Sequence, residues 1–189
     1  GPGVTNTVTA VKNAMMAQSP LLVFGGATAT LLKGRGSLQD IDQMSLMKPI
    51  VKWATTVKTV PALGPTVERA LQVATEGVPG PVFVEVPVDI LYPETVVRGW
   101  YEKEAGLGKG KGIGAKALEL YIKGYLYRQF RAPAMPQFDM PMKLPQLRGD
   151  HGLDRAAAAL RAAKKPVIVV GNQTLVGIKE PGRVARALG

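Results

Sequence analysis

The sequence predicts an α/β fold in which a doubly wound parallel sheet carries helices on its faces. Two apolar runs favour this fold, because LLVFGG at 21–26 and PVFVEV at 81–86 are short and bounded by glycine or proline, as strands buried in a parallel sheet are. A helical pattern, TVPALGPTVERALQVATEG, lies between them. A strand, a helix and a further strand in this order predict a right-handed parallel crossover.

The first residues, GPGVTN, predict a loop that enters a helix. Pro2 fixes its own φ angle, and the glycines beside it adopt backbone angles that other residues avoid. Thr5 or Asn6 is expected to cap the helix, which ends at Ser19-Pro20. The helical spacing is carried by Val4, Val8, Val11, Ala14 and Met15. Such a helix start can face an anion or a polar ligand, and the alternative is an ordinary turn.

A second strand and the crossover helix complete the first ninety residues. KPIVKWATTV follows a polar loop and predicts an extended segment. Gly77 stands where the C-terminal cap of the crossover helix belongs. One face of that helix is predicted to be buried, and it consists of Val67, Ala70, Leu71 and Ala74.

Composition excludes several kinds of site. The chain has no cysteine, so disulfides, thiolate catalysis and cysteine-bound metals are absent from this stretch. Its one histidine, His151, lies in a polar run that predicts a solvated loop rather than a ligand. Much of the net charge of +10 falls between Arg98 and Lys165, where glycines and prolines break any single helical face. This distribution argues against a nucleic-acid partner and favours a solvated linker, although a basic surface near an acidic lipid or an anionic substrate is compatible with it.

The segment from 93 to 150 predicts a linker with one amphipathic helix at Gly114–Phe130. Its apolar and aromatic stripe consists of Leu118, Tyr121, Ile122, Tyr125 and Leu126. Such a stripe packs against neighbouring elements by default, and its basic flanks also permit docking on a membrane surface. After it, LDRAAAALRAAKK predicts a helix and PVIVVGNQ a buried strand, which together are typical of the start of a second α/β domain.

Four ordered motifs resemble one enzyme family. GPGVTN, SPLLVFGG, GRGSLQDIDQMSLMKPIVKW and GVPGPVFVEVPVDI resemble the second half of the pyrimidine-binding domain of thiamine-diphosphate enzymes of the acetolactate synthase group. AAKKPVIVVGNQ resembles the opening of that family's central domain. The resemblance implies the C-terminal half of a pyrimidine-binding domain at 1–92, a linker at 93–150 and a truncated central domain at 151–189. Within the family, VPVDILYP and YIKGYLYRQF look most like the eukaryotic acetolactate-synthase-like proteins, which are regarded as 2-hydroxyacyl-CoA lyases.

The resemblance also implies roles for individual residues. Pro2 and Asn6 are expected to line the aminopyrimidine ring of the cofactor, and an asparagine offers that ring both a donor and an acceptor. Gln39 is expected near the reacting end of the cofactor. Leu38 stands where many relatives have phenylalanine and suggests a different substrate channel; Asp40 likewise replaces a glutamate. Lys52 matches a lysine at the channel mouth of many relatives, with a surface lysine as the alternative.

The implied cofactors are thiamine diphosphate and Mg²⁺, with FAD or ADP as a candidate nucleotide in the central domain. The activating glutamate is expected before residue 1, and the magnesium motif is absent from this chain, so no catalytic carboxylate or metal ligand is assigned here and the chain alone is expected to be inactive. A homodimer or homotetramer is expected. The resemblance further implies location at the endoplasmic reticulum through a segment before residue 1.

Three functions stay open at this point. The first is a lyase that cleaves 2-hydroxyacyl-CoA, a small acyl substrate, to an aldehyde and formyl-CoA. The second is a carboligase of the acetolactate synthase type. The third is a non-enzymatic basic scaffold or nucleic-acid-binding module that retains the fold.

Overall fold

A computed structural model describes residues 1–106, 112–131 and 152–167, together with Arg186. Short 3₁₀ turns at Thr30–Leu32 and Lys48–Ile50 connect some of its elements. The strands are β1 (Leu21–Ala27), β2 (Trp53–Thr56) and β3 (Pro81–Pro87). The helices are α1 (Pro2–Thr5), α2 (Val8–Met16), α3 (Gln43–Met47), α4 (Val60–Thr75), α5 (Val88–Leu91), α6 (Glu94–Glu104), α7 (Ile113–Phe130) and α8 (Leu153–Ala162).

The three strands form a parallel sheet in the order β1-β3-β2, which confirms the predicted parallel α/β fold. Every residue of the central strand β3 is buried. Val82 and Val84 pack with Ala70 and Ala74 of α4, whereas the side chain between them, Phe83, packs with residues of α1, α2 and α3. Because successive side chains of a strand point to opposite faces, helices cover both faces of this sheet.

The first predicted helix is interrupted. α1 ends at Thr5 and α2 begins at Val8, with Thr7 as the N-cap residue and no side-chain cap bond. The predicted cap by Thr5 or Asn6 is wrong, because the Thr5 hydroxyl donates backwards to the Pro2 carbonyl over 3.0 Å. The Thr7 hydroxyl likewise donates to the Val4 carbonyl, so both threonines support the end of α1 rather than the start of α2.

Helix α4 matches its prediction closely. Gly77 has a φ angle of +61° just beyond the end of the helix, a conformation that glycine adopts without the steric cost of a Cβ. Ala70 and Ala74 are buried as predicted, whereas Leu71 is 38% exposed. The prediction therefore wrongly included Leu71 in the buried face. The side chains of α4 that are buried against the sheet are the small ones, Ala70 and Ala74.

Residues after β3 form more helical structure than the sequence predicted. Two helices, α6 and α7, are described between 93 and 131, where one helix was expected. They meet in a third apolar cluster, built by Val97 and Tyr101 of α6, Ile122 and Leu126 of α7, and Ala29. This part of the chain thus packs on the sheet domain, and the boundary at 93 stays a prediction.

The last described helix, α8, matches the predicted helix LDRAAAALRAAKK. His151 and most of the predicted strand PVIVVGNQ lie outside the described residues. No helix within the described ranges combines the length and apolarity needed to cross a bilayer.

Candidate functional site

The carboxyl ends of the parallel strands meet at one edge of the sheet, where ligands bind in many α/β proteins. In the strand register, Glu85 of β3 stands between Gly25 of β1 and Thr56 of β2. The Glu85 side chain is 0% exposed. A buried carboxylate is unfavourable unless other groups satisfy it, so its partners define the chemistry of this edge.

Three side chains donate to Glu85. The Lys33 ammonium and the Thr56 hydroxyl both contact Oε2, each over 2.8 Å. The side-chain amide of Gln43 donates to Oε1 over 3.3 Å. Lys33 neutralises the buried charge while its own side chain stays 41% exposed, so one end of this network faces solvent.

Gln43 connects the carboxylate to the first residue of the GPGVTN segment. Its Nε2 also donates to the Gly26 carbonyl over 3.0 Å, and its Oε1 accepts a bond from the Gly1 nitrogen, the amino terminus of this chain, over 3.2 Å. Gln43 is 2% exposed, so these contacts are made away from solvent. The Gln43 side chain thereby connects the start of α1, the end of β1 and the central strand β3.

The structure brings Gln39 next to Gly1 of the GPGVTN segment, and the role of Gln39 at the cofactor stays a prediction. A Cβ placed on Gly1 would lie 2.7 Å from the Gln39 Cβ and 3.0 Å from its carbonyl oxygen, so only glycine permits this approach. Gln39 has a φ angle of +62°, which is unusual for a residue with a side chain. Such strain is common where the surrounding structure fixes a residue for function.

The residues predicted to line the cofactor are exposed. Pro2, Asn6 and Gln39 are all exposed, and the side chains of Asn6 and Gln39 make no hydrogen bond to another described residue. Gly3 and Gly26 leave open space where other residues would place a Cβ. These residues therefore have exposed amide groups and open backbone, and their predicted place beside the aminopyrimidine ring stays a prediction.

Two further predicted residues have different surroundings. Leu38 is 89% exposed beside Gln39, so a ligand can contact it. Lys52 donates from Nζ to the carbonyls of Val73 and Glu76, each over 2.6 Å, and burial lowers the pKa of its ammonium group. These bonds hold the C-terminal end of α4. They favour the alternative of a structural surface lysine, and a role at a channel mouth stays a prediction.

Asp40, which the family resemblance aligns with a glutamate of many relatives, forms a hydrogen bond across the loop that precedes it. Its Oδ2 accepts a bond from the Gly34 backbone nitrogen over 2.5 Å. Gly34 has a φ angle of +74°, so the turn depends on a glycine as well as on the carboxylate. The shorter aspartate thus shapes the loop that presents Leu38 and Gln39.

A second buried carboxylate, Asp89 of α5, accepts hydrogen bonds from several residues, and the sequence did not predict this role. Its Oδ1 accepts from the backbone and hydroxyl of Thr30, and its Oδ2 accepts from the hydroxyls of Tyr101 over 2.8 Å and Tyr125 over 3.3 Å. Burial, together with Asp89, raises the pKa of Tyr101 well above its usual range, and burial raises the pKa of Tyr125 to about 12. Asp89 therefore attaches α6 and α7 to the sheet domain.

Sequence reasoning missed both Glu85 and Asp89. The available signal was an acidic residue inside the apolar run PVFVEVPVDI, since charged residues are rarely buried unless they are paired. The partners of Glu85 could not be predicted from the sequence, because Lys33 and Gln43 are separated from it by 52 and 42 residues. No group of three His, Asp or Glu side chains in the described parts of the chain could hold a metal ion.

Comparison with known proteins agrees with the resemblance of the sequence motifs. Residues 1–46 match the family model for the thiamine pyrophosphate enzyme, N-terminal TPP binding domain. This part of the chain is therefore similar to that domain, as the sequence motifs indicated.

The similar proteins include 2-hydroxyacyl-CoA lyases and acetolactate synthases. The chain is 48% identical over 192 residues to 2-hydroxyacyl-CoA lyase 2 of Danio rerio, a match that covers 100% of this chain and 30% of the relative. It is 43% identical over 191 residues to 2-hydroxyacyl-CoA lyase 2 of Caenorhabditis elegans, covering 100% of this chain and 29% of the relative. It is 32% identical over 180 residues to acetolactate synthase large subunit IlvG of Mycobacterium tuberculosis, covering 95% of this chain and 26% of the relative. The chain thus spans about a third or less of these proteins.

Proposed function

We propose that the full-length protein is a thiamine-diphosphate-dependent carbon–carbon lyase that cleaves 2-hydroxyacyl-CoA to an aldehyde and formyl-CoA. The observation that carries this proposal is the 48% identity to a 2-hydroxyacyl-CoA lyase 2 along the whole chain. The identity to an acetolactate synthase is lower, at 32%, so a carboligase is the second candidate. A non-enzymatic scaffold has no comparable support.

Pro2, Asn6 and Gln39 would hold the aminopyrimidine of thiamine diphosphate. When bound, the cofactor supplies a nucleophilic carbon that adds to a carbonyl and stabilises the charge left when a carbon–carbon bond breaks. Asn6 would pair with the ring as both donor and acceptor. Gln39 would face the reacting end, where its exposed amide can orient a substrate oxygen.

Leu38 would bind the apolar part of the acyl substrate. It is exposed next to Gln39 and is smaller than the phenylalanine of related enzymes, so it leaves room for a longer chain.

The proposal places Mg²⁺, the diphosphate site and the activating glutamate in other parts of the full-length protein. It also includes a homodimer or homotetramer, a central domain with FAD or ADP, and attachment at the endoplasmic reticulum, all supported by the family resemblance.

The test measures cleavage of a 2-hydroxyacyl-CoA by the full-length protein, with formyl-CoA identified by mass spectrometry. Removal of thiamine diphosphate and Mg²⁺ should abolish cleavage, and both should be needed to restore it. Acetolactate formation from pyruvate without cleavage would support the carboligase instead. Salt-dependent nucleic-acid binding without either reaction would support the scaffold.

Asn6→Ala provides the matching test of the site. It should raise the apparent activation free energy by about 1–3 kcal/mol, because a buried polar ring loses a hydrogen-bonding partner. Its effect on unfolding should be small, since the Asn6 side chain has no hydrogen bond to another described residue. Asn13→Ala, at an exposed position of α2, is the control and should leave turnover unchanged. Equal turnover of the Asn6 variant and the wild type would contradict the assignment.

A further inference from the structure

Gln43 lies at the junction between the proposed cofactor residues and the core, although no motif of the sequence points to it. It begins α3, it is 2% exposed, and it contacts β1, β3 and the first residue of the chain. A buried amide that connects three segments is costly to disturb, because each of its polar partners would lose its hydrogen bond away from water.

The partners of Gln43 fix the orientation of its amide. The Gly26 carbonyl and the Glu85 carboxylate, which forms an ion pair with Lys33, both accept hydrogen bonds. Both lie on the Nε2 side, so the NH₂ group must point toward them. The oxygen of the amide is then left to accept the bond from the Gly1 nitrogen, the amino terminus of this chain. If the amide were reversed, its oxygen would face the two acceptors, the Gly26 carbonyl and Glu85, and its NH₂ group would face the Gly1 donor.

Gly1 in turn determines where the proposed cofactor residues stand. Its backbone packs against Gln39 at a distance that excludes any side chain, and its carbonyl accepts bonds from the backbone nitrogens of Val4 and Thr5 in α1. Pro2 follows directly, and Asn6 ends the same helical turn. A displacement of Gly1 would therefore move both sides of the proposed aminopyrimidine site.

We infer that Gln43 is a positioning residue for the thiamine site, with its amide oriented by Glu85 and its oxygen holding Gly1 against Gln39. The inference rests on the proposed function. Gln43 acts through Gly1 and is not expected to touch the cofactor. It follows that its loss should weaken cofactor binding beyond any effect on folding.

The test compares two buried glutamines in the full-length protein. Gln43→Met keeps the length of the side chain and removes its hydrogen bonds. Gln129→Met does the same in α7, where Nε2 donates to the Asp89 carbonyl over 2.7 Å instead of to Gly26 and Glu85. The dissociation constant of thiamine diphosphate with Mg²⁺ is measured by calorimetry, and unfolding is followed in parallel without cofactor. Gln43→Met should weaken binding about tenfold, and Gln129→Met less than twofold, whatever their effects on unfolding.

A second variant, Gln43→Glu, tests the orientation of the amide. It replaces Gln43→Met in the experiment if that variant does not fold. Gln43→Glu places a carboxylate opposite Glu85 and the Gly26 carbonyl, which repel it, but its protonated form again offers one donor and one acceptor. The ratio of its dissociation constant to that of the wild type should fall as the pH is lowered from about 8 to 6, as the new carboxyl group with its raised pKa takes up a proton.

The outcomes separate the two proposals. A wild type that does not bind thiamine diphosphate contradicts the proposed function. A wild type that binds, with Gln43→Met within twofold of it, overturns the positioning role. If Gln43→Met does not fold, a pH-independent ratio for Gln43→Glu overturns it equally. Equal weakening by Gln129→Met would show that loss of stability alone explains the effect, and would also overturn it.

Discussion

At the scale of single residues, Gln39 combines a strained backbone with an exposed amide. Its φ angle of +62° is one that asparagine adopts more readily than glutamine or alanine. Gln39→Asn should therefore leave the free energy of unfolding unchanged or slightly higher, while the side chain becomes one methylene shorter. Turnover should fall by about tenfold or more, because the amide no longer reaches the reacting end of the cofactor.

The control for the backbone effect is available in the same chain. Gln18 has a φ angle of +53° between α2 and β1, away from the proposed site. Gln18→Asn should leave turnover unchanged. If the two variants were equally active, Gln39 would have no role in the reaction.

At the scale of secondary-structure elements, Asp89 attaches α6 and α7 through tyrosine hydroxyls. The Tyr101 bond is shorter and more buried than the Tyr125 bond, so Tyr101→Phe should lower the free energy of unfolding by about 1–2 kcal/mol and Tyr125→Phe by less. Chemical denaturation at neutral pH measures both values. An equal or larger effect of Tyr125→Phe would contradict the ranking.

The raised pKa of Tyr125 predicts how stability changes with pH. In the unfolded chain a tyrosine loses its proton near pH 10, whereas in the folded protein the pKa of Tyr125 is about 12. Its contribution to stability is complete below pH 10 and is lost as the pH rises from about 10 to 12, since only the unfolded state is then ionised. The wild type should therefore lose stability more steeply than Tyr125→Phe over this interval. Parallel curves would contradict the assigned pKa.

The elements also show what could be predicted from sequence. β1 and β3 were predictable because a strand buried on both faces is a continuous apolar run, and the end of α4 was predictable from Gly77. α6 was not, because ETVVRGWYEKE buries only Val97 and Tyr101, a pattern too sparse to indicate a helix. Of the site, GPGVTN and Gln39 came from the family resemblance. The network of Gln43 and Glu85 depends on contacts between distant residues that no local pattern encodes.

The exposed part of α7 is where membrane docking can be tested. Ile122 and Leu126 are buried inside the protein, so this half of the predicted stripe is intramolecular packing. Leu118 and Tyr121 stay 45% and 59% exposed. If α7 docks, the full-length protein without any N-terminal anchor should sediment with anionic vesicles at low salt, and Leu118→Ser with Tyr121→Ser should reduce this binding severalfold. Tyr125 is left unchanged because its loss would disturb the Asp89 contacts.

The control for this experiment is Leu160→Ser, at a 48% exposed position of α8. It removes a similar exposed leucine from another helix and should not affect sedimentation. Absence of vesicle binding by the wild type, or equal binding by the α7 variant, would show that α7 serves only to pack the domain.

At the scale of the whole molecule, the two candidate reactions differ in where a proton is delivered. Cleavage of a 2-hydroxyacyl-CoA breaks the bond between the carbonyl carbon and the hydroxyl-bearing carbon. The latter becomes the aldehyde after its hydroxyl proton leaves, and the former takes up a proton to become formyl-CoA. No oxidant or reductant is needed. Acetolactate formation instead joins two molecules of pyruvate and releases carbon dioxide.

In deuterated water the lyase should therefore place deuterium on the formyl carbon of formyl-CoA and none on the carbon-bound hydrogen of the aldehyde. Mass spectrometry of both products from the full-length protein measures this distribution. In the proposed cleavage this proton comes from groups that exchange with solvent, so it carries the deuterium label. Deuterium on the aldehyde carbon would require exchange at the hydroxyl-bearing carbon and would contradict simple cleavage. Release of carbon dioxide from pyruvate with no formyl-CoA would assign the protein to the carboligases.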